Sequence, residues 1–266
     1  MTVISASLVR ELREMTGAGI MDAKRALQET GGDIEAARRV LREKGMASAD
    51  KRAGKATTEG KVGYIVDQDG SRGTIVGVGC ESEPVSNNAE FLTFAEQVLR
   101  AIHEQGVGAE AELEDERKEL AAKLGENITI VDPAHFERVE GGTIAGYAHP
   151  PANKLGVLVQ LRGGSDELAR KVAMHIAASA PQWIAREDVP EELVAAEQDI
   201  YASSDEVQSK PEQAREKIVE GMLNKRFFAA QVLTQQPWIH DTAKTVGQAL
   251  QDGAEVVEFE RLALAG

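Results

Sequence analysis

One cysteine in 266 residues leaves no intramolecular disulfide framework and no cysteine-rich zinc site. Aromatic residues are scarce as well, at 4% against a hydrophobic fraction of 42%. Any core must therefore be built from aliphatic side chains and alanine. Long apolar runs are missing. The opening stretch MTVISASLVRELREM has no apolar segment of signal-peptide length before charge begins at Arg10, and no later run approaches a membrane span. A cytoplasmic protein without a membrane partner is expected. Positive charge is in short supply: 30 Lys and Arg face 44 Asp and Glu, a net charge of −14 that repels nucleic acid and anionic membranes. The locally basic stretch KRAGKATTEGK (51–61) has no aromatics for base stacking and reads as a solvated linker.

Catalytic and cofactor signatures are also lacking. There is no G-x-x-x-x-G-K-[ST] loop, and GVGCES has two spaced glycines without the third of a dinucleotide fingerprint. The five histidines, His103, His135, His149, His175 and His240, share no H-x-x-x-H or H-E-x-x-H frame, so no metal site is expected. His175 falls beside the inward face of a helix and suits a satisfied, semi-buried position. His149 ends a strand at YAHPP, where a loop contact fits better than catalysis. Cys80 is the best nucleophile candidate, yet its neighbours Glu81 and Glu83 raise a thiol pKa rather than lower it. A small strand residue facing the core is the plainer reading. No pair of carboxylates is singled out for acid–base work. No catalytic residue, cofactor or metal is expected, and the chain does not look like an enzyme.

What is present is a change of period. Residues 5–45 carry three helical patterns. The first has Leu8, Leu12 and Met15 on one face and stops at Thr16–Gly17. The second turns Ala23, Ala26 and Leu27 inward. The third starts at the N-cap Asp33, turns Ile34, Ala37, Val40 and Leu41 inward, and is expected to end at Gly45. From Lys61 the period drops to two. KVGYIVD and GTIVGVGC form a hairpin about Asp69–Gly70, and a helix follows from Asn88 with Phe91, Phe94, Val98 and Ile102 inward. A charged helix (112–124) and a strand at NITIVD (127–132) come next. HFERVEG, GTIAGYAH and KLGVLVQLRG read as further strands, then Ser165 caps a helix. Strand, short loop, helix therefore occurs twice, as in a duplicated α+β unit. Between 190 and 228 two charged helices, each opened by a proline, form an arm, and AEVVEFERLAL (254–264) is a last strand. The units expected are 1–50 (three helices), 51–60 (linker), 61–139 and 140–266, the last containing the arm (190–228) and a C-terminal module (234–266).

Three features stand in unusual places. Ile20 and Met21 follow a Gly-Ala-Gly loop, either packed into the bundle or standing out as a partner-facing knob. Residues 81–86 form an acidic kink after a buried strand. Trp238 lies in the polar loop TQQPWIHD, as a plug or an interface anchor.

The stretch SLVRELREMTGAGIMDAKRALQETGGDIEAARRVLREKG resembles the N-terminal domain of bacterial elongation factor Ts. ENI, YAHPPANKLGVLVQL, KVAMHIAAS and LTQQPWIHDTAKTVGQ resemble later segments of that family in the same order. The resemblance implies a three-helix ubiquitin-associated-like domain, two related α+β subdomains and an inserted helical hairpin, used in some members for homodimerisation. It implies a non-enzymatic guanine nucleotide exchange factor for the GTPase elongation factor Tu. It places Arg10, Arg13, Ile20, Met21 and His149 in contact with that GTPase. The family's C-E-T-D-F-V intrudes beside the magnesium of the GTPase; here Ser82, Glu83, Pro84 and Val85 stand for its Thr-Asp-Phe-Val, and proline removes the aromatic wedge. A non-enzymatic adaptor, holding an apolar peptide or ubiquitin-like partner on the three-helix domain, is the alternative.

Overall fold

A computed structural model describes residues 4–250 and 253–264, the side chains of 48–50 excepted. Residues 1–3, 251–252 and 265–266 of the expected terminal units lie outside the described residues. Helix α1 (Ala6–Thr16) begins where Ser5 Oγ accepts from the Leu8 N–H, and ends where Gly17 turns left-handed at φ 67°. With α2 (Ile20–Glu29) and α3 (Ile34–Arg52) it encloses Val9, Leu12, Ala23, Ala26, Leu27 and Ala37. Met15, expected inward, is exposed and lines a cleft of about 900 Å³ between this bundle and the next helices.

The expected stop at Gly45 is overturned: α3 runs through it to Arg52. Gly45 has another use. A Cβ there would lie 2.7 Å from the Ala122 Cβ of α6 (Glu114–Leu124), so the missing side chain lets the two helices close. Arg42 pairs with Glu119 at 2.5 Å across the same contact. Both ends of the expected linker are regular structure, since Arg52 closes α3 and Glu59 opens β1 (Glu59–Val66).

The body is two three-stranded antiparallel sheets. β1 pairs with β2 (Arg72–Cys80), and β2 with β3 (Ile128–Glu137). β4 (Gly142–Ala148) pairs with β5 (Leu155–Arg162), and β5 with β6 (Glu255–Ala263). The two strands expected at 127–132 and in HFERVEG are one strand, β3. Its pairing shifts opposite Ile75–Gly77, where Asp132 takes φ 42°, so a bulge disguised one long strand as two. HFERVEG accordingly contributes to the first sheet, not to the second half.

Alternation along the central strands builds four layers. On β2, Val76, Val78 and Cys80 face Phe91, Phe94, Val98 and Ile102 of α5 (Ala89–Gln105). Ile75 points the other way, to Val62, Phe136, Ile144 and Leu158, in a core shared by both sheets. On β5, Val157, Val159 and Leu161 face Val172, Ala173 and Ile176 of α7 (Asp166–Ser179). The order is thus helix, sheet, sheet, helix. The sheets meet closely because Gly146 leaves room for the Tyr64 ring. Each unit follows one plan: hairpin, helix on the central strand, helical insertion, third strand. The mixed helix-and-sheet architecture is the expected α+β class, and no helix among the described residues is long and apolar enough to cross a membrane.

In the first unit the insertion contains α6; in the second it is the arm. The arm holds α8 (Glu191–Ser203), α9 (Asp205–Gln208) and α10 (Glu212–Met222), which continues through a π-helical stretch, Leu223–Phe228, into α11 (Ala229–Gln231). Pro190 and Pro211 are N-caps, one residue earlier than expected. The arm has its own core of Val207, Val219, Met222, Phe227 and Phe228. After the arm, one short helical turn, α12 (Val246–Ala249), is capped by Thr245.

Trp238 is a plug: it is buried against His175, with ring centroids 5.2 Å apart. His175 is fully buried. Gln236 donates its amide to the carbonyls of Ser179 and Ala230, so its oxygen faces His175 Nε2 at 2.9 Å. The Ile239 N–H approaches Nδ1. This arrangement suits neutral imidazole, and burial lowers the His175 pKa, opposed by the Gln236 hydrogen bond. Burial lowers that of His135 as well. A lowered folded pKa means the unfolded chain binds protons first. Stability is therefore whole above the ordinary histidine value of about 6.5 and falls as pH drops through the folded values. The urea midpoint is expected to be lower at pH 5 than at pH 7.5, and His175→Gln should flatten that difference.

Candidate functional site

β2 ends at the buried Cys80, and the chain turns at once into a single helical turn, α4 (Glu83–Ser86). Glu83 and Pro84 are exposed at its start; Val85 packs back on the α5 core. Pro84 lies in the first turn, where a helix has no use for the missing N–H. The Glu83 carbonyl accepts from Ser86 Oγ at 2.8 Å and Asn87 Nδ2 at 3.1 Å, closing the turn. Asn88 then caps α5 by accepting from the Glu90 N–H at 2.8 Å. Between residues 80 and 88 the chain therefore makes an outward tip whose polar ends are tied locally.

Cys80 is the strand beneath the tip. Its thiol donates to the Ser82 carbonyl at 3.3 Å, and burial pushes its pKa up to about 11, with Glu126 and Glu59 adding to the rise. That is the reverse of an activated nucleophile. A maleimide at pH 7.5 is expected to label the folded protein slowly and the urea-unfolded protein at once; fast labelling of the folded chain would place the thiol in reach of solvent.

The structure brings the loop that follows β4 to the end of α4. Lys61 of β1 donates to Asn87 Oδ1 at 3.1 Å and to the Ala152 carbonyl at 3.0 Å, so one ammonium joins the end of α4 to the loop after β4. His149 opens that loop. It is exposed, it bonds the Tyr147 hydroxyl at 2.8 Å through Nδ1, and its backbone holds Leu155 and Asn153. The Pro150–Pro151 bond within the loop is cis.

Arg10 and Arg13 are exposed on α1. Ile20 and Met21 are 57% and 66% exposed at the start of α2 and belong to no core, so the pair does not pack into the bundle. The bundle is tied to the tip through α3, because Arg52 at its end reaches Glu81 at 3.0 Å. Sequence reasoning missed Lys61, taken for linker charge, and Glu126 and Asn127, which hold the base of the tip. Only the segment ENI pointed at the last two.

Residues 81–265 match the family described as Elongation factor TS. The chain is 41% identical over 271 residues to elongation factor Ts of Alkalilimnicola ehrlichii, covering 97% of this chain and 91% of the relative. It is 43% identical over 266 residues to that of Teredinibacter turnerae, covering 97% and 89%. The protein from Methylococcus capsulatus is similar at 41% over 272 residues, covering 97% and 91%. The chain belongs to the elongation factor Ts family. Membership makes it a translation elongation factor, acting in protein biosynthesis. In this family member no group of three or more His, Cys, Asp or Glu among the described residues is placed to hold a metal ion.

Proposed function

We propose that the chain is a guanine nucleotide exchange factor that binds GDP-bound elongation factor Tu, disturbs its magnesium and phosphate site, and promotes GDP release. The observation that carries the reading is the tip, a tied-down turn at Ser82–Val85 that exposes Glu83 and Pro84, in a member of the elongation factor Ts family. In this reading Ser82, Glu83, Pro84 and Val85 enter beside the magnesium site. Arg10, Arg13, Ile20 and Met21 on the three-helix, ubiquitin-associated-like unit (1–50), and His149 on the body, hold the GTPase. The first core unit (61–139) presents the tip, and the second (140–266), with its arm and C-terminal module, presents His149. The work is done in the cytoplasm, without a cofactor and without nucleic acid or membrane contact.

The physics is linkage. GDP and its magnesium hold the GTPase in one backbone arrangement. A partner that binds better to a distorted arrangement weakens GDP, and GDP weakens the partner by the same factor. The ternary complex then sheds either ligand, and no bond in this chain is made or broken.

Release of fluorescent GDP from elongation factor Tu tests the reading. Strong acceleration by catalytic amounts of the protein is expected, and Cys80→Ala should accelerate equally. Binding without acceleration would favour an adaptor that grips an apolar partner through the exposed Ile20 and Met21. Loss of the effect in Cys80→Ala would overturn the structural role of the thiol. On the arm, Leu193 and Ile200 are exposed seven residues apart on one face of α8, which supports its use in homodimerisation. Sedimentation of wild type and Ile200→Glu checks that use, with a wild-type monomer at all concentrations counting against it.

A further inference from the structure

Glu81–Ser82 follow the end of β2, and Glu126–Asn127 precede β3, which pairs with it. The hydrogen bonds between these two dipeptides run both ways. The Glu126 carboxylate accepts the Glu81 N–H at 3.1 Å and the Ser82 N–H at 3.0 Å on one oxygen, and the Ser82 hydroxyl at 2.5 Å on the other. The Glu81 carboxylate in turn accepts the Asn127 N–H at 2.6 Å. Glu81 also takes Arg52 and Lys55, at 3.0 Å and 3.2 Å. The buried Asn127 side chain donates to the Lys55 carbonyl at 2.8 Å and the Ala53 carbonyl at 3.4 Å.

Two consequences follow from this geometry. Ser82 precedes α4 as its N-cap but makes no side-chain cap, because its hydroxyl is turned away to Glu126. A four-residue helix cannot hold its own direction in water. The direction of the tip is instead imposed from below, by one carboxylate that gathers three donors through charge-assisted hydrogen bonds. The Glu81 carboxyl is held below its ordinary range chiefly by the Asn127 N–H, against burial and helped by Lys55 and Arg52. Because Arg52 closes α3, the clamp also receives the end of the helix that carries the N-terminal bundle.

We propose that Glu126, with Glu81 as its reciprocal, is a positioning residue: it fixes the direction in which Ser82–Val85 project and keeps them in register with the bundle through Arg52. Neither side chain needs to touch the GTPase. The inference rests on the exchange reading above and names residues that act behind the contact surface.

The test uses the full chain with Glu126→Ala and Glu126→Gln, read in two ways. Hydrogen exchange of the free protein reports on the amides of residues 81–86. GDP release, measured against factor concentration, separates the maximal rate from the half-maximal concentration. In Glu126→Ala the tip amides are expected to exchange about tenfold faster and the maximal rate to fall about tenfold, the scale of one lost charge-assisted hydrogen bond. The half-maximal concentration, set largely by the bundle, should stay put. Glu126→Gln keeps an acceptor oxygen and should recover part of both effects. If Glu126→Ala does not fold, Glu126→Gln carries the same two readouts against wild type. Unchanged tip exchange, or a loss confined to the half-maximal concentration, overturns the positioning role. A wild-type protein that fails to accelerate GDP release fails the exchange reading and the positioning role with it, whereas acceleration that survives both substitutions overturns the inference alone.

Discussion

Replacing Ile20 and Met21 together by alanine is expected to weaken binding to elongation factor Tu by about 30- to 1000-fold and to leave the bundle folded. Both side chains stand in solvent at the first turn of α2, at 57% and 66% exposure, while Ala23, Ala26 and Leu27 make that helix's share of the core. Truncating a well-placed interface anchor costs about 1–2 kcal/mol or more, so two anchors reach about 2–4 kcal/mol. Alanine is also the best helix former, so no loss of helix is expected from the exchange itself. Calorimetry gives the affinity, and circular dichroism and the thermal midpoint give the fold. Unchanged affinity would remove the knob from the contact; lost helicity would mean that the pair supports the bundle. Arg10→Glu and Arg13→Glu should act differently. Exposed charges steer association, so their effect should fall on the association rate and fade as salt rises.

The bundle core, the first hairpin, the strands of the second and the two long amphipathic helices were legible because each rests on a local period. Phe91, Phe94, Val98 and Ile102 recur at helical spacing whatever lies opposite, and Val76, Val78 and Cys80 alternate whatever covers them. Illegible were the places where a distant residue decides. Gly45 looks like a helix stop, and only the Ala122 methyl group 77 residues on explains why it sits inside one. β3 looks like two strands because its bulge is answered on β2, more than fifty residues away. The candidate site divides the same way. Ser82–Val85 were marked by their place after a buried strand, and Ile20–Met21 by theirs after a glycine loop. Glu126 and Lys61 carried no local mark: a charged residue in a polar stretch reads as solvated until the strand that it braces is seen beside it.

Replacing Glu83 by alanine and Pro84 by glycine together is expected to slow factor-stimulated GDP release roughly 30-fold, about 2 kcal/mol, with the fold intact. Neither side chain is buried in the free protein, and the turn is closed by the Glu83 carbonyl, which alanine keeps. What the variant loses is the carboxylate at the front of the tip and the fixed φ behind it. Glycine returns about 1 kcal/mol of backbone freedom to a segment that must stay stiff to displace anything. The tip also lacks an aromatic ring. A phenylalanine buries much more surface than proline, and at about 25 cal/mol per Å² the difference is about 1–2 kcal/mol. On the exchange reading, this chain is therefore expected to lean on Glu83, on the stiffness of α4 and on the bundle contact. Pro84→Phe should fold normally, since position 84 is exposed and its N–H is not required in a first turn, and it is expected to quicken release. Slower release would point to a narrowed pocket in the native GTPase that rejects the ring. Stopped-flow release with and without magnesium separates the routes. If the tip works against the magnesium site, the double variant should lose its effect mainly when magnesium is present, and the gap from wild type should close when magnesium is removed. Equal rates for the double variant and wild type at every magnesium level would take the tip out of the mechanism and leave the bundle and the His149 loop to drive release.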